Sequence, residues 1–459
     1  MNNLKAESPF TIIIMLIILI IIATNSVIHD PIIGYDADAH LDYVRVIADR
    51  LPNIEDTKEF FSPPLPYLIP GLAHKGCTIF LDMSISQCQI FSGHIAKGVN
   101  FFLAVGITLL FIKIGKILKP NNNYFTLSSI FLLAITTVFY KTFSQVRGET
   151  YIAFFAVLIF FLILKIHEDK TNIRWKHVIS LGVTLGLLAL SRQWGLFLYP
   201  GVFFALIMQP KEKISLTKHL SVIFIAFGIA ALVGGWFYLY LYFEYGTVTA
   251  FNLNSNGFAF SNQPLSFYRN TGLGNFLLFE SPTRKTFDNQ FFPIFYSEIW
   301  GDYWGHFVFV RDKSPIGAIY GNQNQITPYL GRVNLVSLLP TVLFFAGFIK
   351  AGENLVQLIH RKNYDLNKIA FGYLVIAIVI SFLGYGWFLI KYPVIPKGTT
   401  IKATYMIQIF VLLPFLGAEF LEYIRLKTTR TYVLILCLLG LVFIHNLPAT
   451  FSRYWWWLR

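Results

Sequence analysis

Between Phe10 and Ile28 the chain reads FTIIIMLIILIIIATNSVI, nineteen residues without a charge. A helix rises about 1.5 Å per residue, and a bilayer core about 30 Å thick takes roughly 20 residues to cross. The run therefore predicts a membrane-spanning helix. Ten more apolar runs follow it: Ile95–Ile112, Tyr124–Phe143, Tyr151–Ile166, Val178–Leu190, Leu196–Met208, Leu220–Phe243, Leu335–Ile349, Ile369–Ile390, Met406–Phe420 and Tyr432–Leu447. The fold class is all-α: a single polytopic α-helical membrane domain over residues 1–459, with about eleven transmembrane helices. The fifth and sixth runs are short, and read either as two tilted helices or as a hairpin that does not fully cross. The first run is long for a secretory signal and its flank holds only Lys5 beside Glu7, so a retained helix is expected.

Composition agrees. The 459 residues are 55% hydrophobic and 13% charged, where soluble domains carry about 25% charged residues. Too little polar surface exists to cover such a core in water, so lipid must cover it. The formal net charge of +13 is read as cationic loops on the cytoplasmic side, with membrane lipids as neighbours. Nucleic acid is not an expected partner, because no basic run interleaved with aromatics occurs. With the N-terminus inside, the short inner loops hold Lys113, Lys116 and Lys119, then Lys170, Arg174 and Lys176, then Lys211, Lys213 and Lys218, then Arg361, Lys362 and Lys368, then Arg425, Lys427 and Arg430. Each is basic, as the positive-inside rule requires. Trp455, Trp456 and Trp457 then end outside as an interfacial belt. The absence of any Asn-x-Ser/Thr sequon weighs against the eukaryotic secretory route. The expected location is a prokaryotic plasma (inner) membrane, or the endoplasmic reticulum in a eukaryote.

Two segments are too long for simple turns, residues 29–94 and 244–332, and both fall on the outer face. Cys77 and Cys88 share the first; an oxidising compartment permits them to pair, and the sequence leaves the pairing open. Just after the first helix stands Gly34-Tyr35-Asp36-Ala37-Asp38-Ala39-His40-Leu41-Asp42-Tyr43. From Asp38 a helix is predicted, with Leu41, Val44, Ala48 and Leu51 on one face and Asp38, Asp42, Arg45 and Asp49 on the other, lying flat on the membrane surface. Asp36 or Asp38 suits a helix N-cap, and Asp42 with Arg45 suits a solvated pair. Against that, acidic residues beside a bilayer core cost energy and tend to be kept for function. Further on, Glu59-Phe60-Phe61-Ser62-Pro63-Pro64-Leu65-Pro66-Tyr67 predicts a rigid corner, with Ser62 as a cap, feeding another helix.

An Asp-rich stretch directly after the first membrane helix, then a Pro-Pro-Leu-x-Tyr corner, resembles the GT-C superfamily of membrane glycosyltransferases. Within it, the resemblance is to bacterial relatives of the protein O-mannosyltransferases and to the lipid A aminoarabinose transferase. The signature there is an Asp-Glu or Asp-x-Asp pair; Asp36 matches its first Asp, and Ala37 stands where many members have Glu. Asp38 or His40 is left to do the second acid's work, beside Asp42. Ser144-Gln-Val-Arg-Gly-Glu-Thr150, Leu190-Ser-Arg-Gln-Trp-Gly195 and Lys397-Gly-Thr-Thr-Ile-Lys-Ala-Thr-Tyr405 resemble the family's outer turns at those places.

The resemblance implies a sugar donor carried on polyprenyl phosphate, and a glycan, lipid or protein acceptor. It implies no certain cofactor and leaves a divalent metal open. An acceptor hydroxyl must lose its proton as it attacks the anomeric carbon, and a carboxylate can take it; that role falls to Asp36. The departing phosphate needs cations where its charge develops, for which Arg147, Arg192, Lys397 and Lys402 are candidates, with Tyr405. The alternative for each cation is snorkelling to the interface. In the second long loop, Trp300, Asp302 and Trp304 are candidates for substrate binding, the alternative being an aromatic belt. No P-loop, dinucleotide fingerprint, zincin motif or Cys-x-x-Cys pair is present. A transporter or flippase, or a non-catalytic subunit on the same scaffold, is the competing reading. The former usually carries charge near the membrane midplane, whereas here the acidic cluster lies at the outer surface.

Overall fold

The computed structural model describes residues 8–81, 83–168, 172–208, 215–253, 255–284, 286–308, 323–361 and 365–453. Lys170, Lys211, Lys213, Lys362 and Trp455 to Trp457, used above for orientation, lie outside the described residues. The helices are α1 (Pro9–Ile28), α2 (Ala37–Ile47), α3 (Leu65–Phe80), α4 (Ile85–Leu118), α5 (Asn123–Ile135), α6 (Thr137–Phe143), α7 (Glu149–Glu168), α8 (Trp175–Ala189), α9 (Tyr199–Ile207), α10 (Leu216–Tyr245), α11 (Leu265–Arg269), α12 (Leu277–Glu280), α13 (Phe291–Trp300), α14 (Gln323–Val336), α15 (Leu338–Arg361), α16 (Leu366–Lys391), α17 (Ile407–Lys427) and α18 (Thr429–Asn446). The protein is an all-α, polytopic integral membrane protein. Among the described residues eight helical stretches are long and apolar enough to cross a membrane. A ninth is the pair α5–α6, bent by 66°. The fifth and sixth expected spans are the shorter apolar helices Trp175–Ala189 and Gln193–Ile207.

The bend between α5 and α6 has a local cause. Thr136 is extended (φ −76°, ψ 97°), which ends the α5 ladder inside an apolar run. The carbonyls left free there must find donors, since the bilayer core has none to offer. Tyr140 Oη donates to Ala134 O at 2.8 Å and Thr136 Oγ1 to Leu132 O at 2.9 Å. The bend brings Lys141 into the protein interior, where it is fully buried. Elsewhere close helix contacts rest on small residues: a Cβ on Gly234 would meet Gly186 O at 2.6 Å, so α8 and α10 touch backbone to backbone.

The first long loop, residues 29–94, folds onto the N-terminal turns of α4. That helix has 34 residues, about 51 Å, well beyond the roughly 30 Å it must cross. Its first turns run alongside α3, and a Cys77–Cys88 disulfide joins the two. Helix α2 begins where expected, but its apolar face does not lie on lipid. Leu41 packs with Ala96 and Val146, and Val44 and Ile47 with Tyr67. The periodicity was right about which face is buried; protein rather than lipid covers it.

Candidate functional site

Asp36 directly precedes α2 with a left-handed backbone, φ 55°, a region that Asp tolerates better than most residues. It occupies the N-cap position, yet its side chain makes no capping bond. Oδ2 instead accepts from Lys402 Nζ at 2.8 Å. The lysine beside it holds the Asp36 carboxyl well below the usual carboxylate range. Lys402 is fixed in turn: its backbone N–H donates to Tyr385 Oη at 2.7 Å, and Tyr385 Oη donates to Thr400 O at 2.9 Å. Nζ lies 5.0 Å from the centre of the Tyr35 ring and 3.3 Å from Tyr405 Oη.

Two cavities meet at Asp36. One, about 100 Å³, is lined by Asp36, Glu59, Arg192, Trp194, Lys402 and Tyr405 among others. The other, about 300 Å³, is lined by Asp36, Asp38, Asp42 and Lys58 together with Ile32, Gly34, Ala37 and Ala39. One carboxylate thus fronts an aromatic chamber that holds the Lys402 and Arg192 ion pairs on one side, and a more acidic one on the other.

Behind Asp36 runs a buried chain of charges. Arg147 grips Glu149 with two bonds, 2.8 and 2.9 Å. Its guanidinium lies between the Tyr35 and Tyr405 rings, 5.4 and 5.5 Å from their centres. Arg192 bonds Glu59 at 2.6 Å, reaches Glu149 at 3.4 Å and also donates to Ser62. Ser62 therefore does not cap α3, whose N-cap is Pro64 without a side-chain cap bond; its hydroxyl is held by Glu59 and Arg192. Gly148 makes this packing possible, because a Cβ there would collide with Ser191 O. Such buried pairs cost desolvation, so removing one partner is severe, about 3–5 kcal/mol.

Beneath the site lies a group that the sequence reading did not single out. Glu298 on α13 is fully buried. It accepts from Tyr35 Oη, from Lys141 Nζ at 2.7 Å and from the Trp304 backbone N–H at 3.1 Å. Trp304 Nε1 in turn donates to Ile401 O at 3.0 Å. Glu298 thereby ties down both the residue before Asp36 and the residue before Lys402. The available signal was Lys141 itself, an ionisable residue inside an apolar span.

The remaining candidates are distributed as follows. Asp38 and Asp42 line the acidic cavity. His40 is fully buried; Nδ1 lies 2.7 Å from Tyr67 Oη, and burial pushes the imidazole down to about 4, so it is neutral. Lys397 is exposed and lines neither cavity. Trp300, Asp302 and Trp304 are spent on internal contacts. Trp300 stacks on Phe344, and Asp302 accepts from the backbone N–H groups of His306, Phe307 and Val308. None of the three lines either cavity. Among the described residues no group of three or more His, Cys, Asp or Glu clusters closely enough to hold a metal ion.

Residues 87–237, about a third of the chain, match the family described as dolichyl-phosphate-mannose-protein mannosyltransferase. No curated protein is significantly similar in sequence. Two crystal structures of the Archaeoglobus fulgidus oligosaccharyltransferase superpose on 96% of the chain with a TM-score of 0.48. The form with zinc and sulfate is 14% identical and the apo form 16%. The chain spans about half the length of those proteins, 53% and 56% respectively. The resemblance carried by residues 34–67 and the family match over residues 87–237 meet in one chain, whose likeness is to the membrane glycosyltransferases of the GT-C superfamily.

Proposed function

We propose that the protein is a glycosyltransferase that moves a sugar from a polyprenyl-phosphate donor to an acceptor hydroxyl at the outer membrane surface. The observation that carries this is the position of Asp36, shared by a cavity that holds Lys402 and Arg192 and a more acidic cavity, and paired with Lys402. The donor phosphate enters the side that holds Lys402, Arg192 and Tyr405. The acceptor enters the acidic side, past Asp38 and Asp42. The acceptor oxygen bonds to the anomeric carbon and its proton passes to Asp36. The bond from that carbon to the phosphate oxygen breaks, and its electron pair leaves with the phosphate. The phosphate gains a negative charge in this step, which draws Lys402 from Asp36 and lets the carboxylate accept the proton. The side that holds Lys402 is small beside the roughly 300–1,000 Å³ of ordinary ligand clefts, so the Thr399–Lys402 turn or the Phe251–Leu253 loop moves to admit the sugar. The outer loop 29–94 supplies the base, and the loop 244–332 supports it from beneath.

Purified protein supplied with a polyprenyl-phosphate sugar, or separately with a nucleotide sugar, tests this. Turnover is expected with the first alone. Direct turnover of the nucleotide sugar would remove the reading.

A further inference from the structure

On the side of the protein where the basic loops gather, α1, α5 and α18 enclose a groove of about 930 Å³. It shares no residue with either cavity at Asp36. One end is polar, lined by Ser8, Asn122, Asn123, Tyr124 and Arg425. The walls beyond are apolar, including Ile14, Ile17, Phe131, Leu436 and Phe443. The floor is closed where α18 packs on α5, through Ser128 Oγ to Tyr432 Oη at 3.0 Å and the Phe131–Phe443 ring pair.

Its length identifies the occupant. From Ser8 to Ile17 on α1, and from Asn122 to Phe131 along α5, the groove extends nine residues, about 14 Å; from Tyr432 to Phe443 on α18 it extends eleven, about 16 Å. Half of a hydrocarbon core roughly 30 Å thick is about 15 Å. The groove therefore runs from a membrane surface to the midplane and stops. A crossing helix from another chain would need the full thickness; an acyl chain needs one leaflet. The polar end holds one cation in its lining, Arg425; nearby Lys119 pairs with Glu419 at 3.1 Å, and Lys427 and Arg430 follow Arg425 in the same turn of sequence with no further acid between them. Arg425 lies 4.8 Å from the centre of the Tyr124 ring and gives Nε and Nη2 to Glu422, which leaves three of its five N–H donors. The first turn of α18 beside it has no side-chain cap, so its backbone N–H groups add to the anionic preference.

We infer that this groove is a binding site for an anionic phospholipid of the leaflet on the basic side, with the phosphate against Arg425 and Tyr124 and an acyl chain along α18. The test is native mass spectrometry of the full chain from nanodiscs holding equal phosphatidylglycerol and phosphatidylcholine, with crosslinking by a diazirine-bearing acyl chain of each lipid. Phosphatidylglycerol is expected to be retained about fivefold over phosphatidylcholine, the scale for one basic residue at a membrane surface. Crosslinks should fall between Leu436 and Phe443. Arg425→Gln should bring the ratio near one. Leu436→Trp, which fills the groove and leaves the charge, should reduce retention of both lipids. Equal retention by the unaltered protein overturns the inference, as do crosslinks confined to other helices. So does a dimer crosslinked through Cys437, the chain's unpaired cysteine, which lines the groove.

Discussion

Replacing Asp36 by Asn separates the two roles its position allows. The change keeps the shape and suits the left-handed backbone, since Asn tolerates that region as Asp does. It forfeits no cap, because the Asp36 side chain makes no capping bond. It does remove the ion pair with Lys402, whose side chain is 10% exposed against 44% for Asp36. A pair open to water on one side is worth at most about 1–2 kcal/mol, so the protein should remain folded, with a small fall in Tm. Turnover should fall by roughly 100-fold or more, the scale for loss of a general base, which is about 2.7 kcal/mol in the barrier. The assay is single-turnover transfer at saturating lipid donor, with donor binding and thermal melting measured on the same preparation. Near-normal transfer by a folded Asp36→Asn protein would refute the assignment and move the role to Asp38, which lines the same acidic cavity.

Lys402→Gln removes the cation that holds the Asp36 carboxyl down, leaving burial to raise it; the acid limb of the kcat/KM profile should move to higher pH, and an unmoved limb would show that another group titrates. Tyr35→Phe deletes only the hydroxyl on Glu298 and should lower kcat about tenfold with little change in donor KM, whereas Glu298→Gln strands Lys141 and should lower stability by about 3–5 kcal/mol; unchanged kcat in Tyr35→Phe would reduce Glu298 to packing alone. Glu55 and Thr271 are exposed, one in each long loop, and serve to probe topology. Cysteines at those two positions should label from the same side of intact cells, and labelling from opposite sides would overturn the orientation.

What was legible in the sequence followed periodicity and local chemistry. Apolar runs located the spans, and even the short fifth and sixth runs correspond to the short helices α8 and the Gln193–Ile207 stretch; the ends were missed where polar turns continue a helix, as at α4, which starts at Ile85, and α15, which ends at Arg361. Asp36, Arg192, Lys402 and Tyr405, drawn from three motifs, line one cavity. The pairing among them was not legible. Arg147 with Glu149 lies within one turn of chain, but Arg192 with Glu59 is separated by 133 residues and Lys141 with Glu298 by 157. No periodic signal joins such positions; only the tertiary fold decides which buried charge meets which. The aromatic cluster at Trp300 and Trp304 was ambiguous for a related reason. A tryptophan that stacks on a ligand and one that donates its Nε1 proton to an inner carbonyl, as Trp304 does, have the same composition around them.

The disulfide between α3 and α4 makes the tip of the first long loop mechanically redundant. Phe80, Leu81, Met83 and Ile85 are all well exposed between the two cysteines, where a protease added to the purified protein has ready access. A cut there opens the backbone but not the molecule: residues up to 77 stay joined to residue 88 and all that follows through sulfur. Nicked protein should therefore migrate as one species on a non-reducing gel and as two after thiol treatment, and Asp36 and Lys402, on opposite sides of the cut in sequence, should stay in contact throughout.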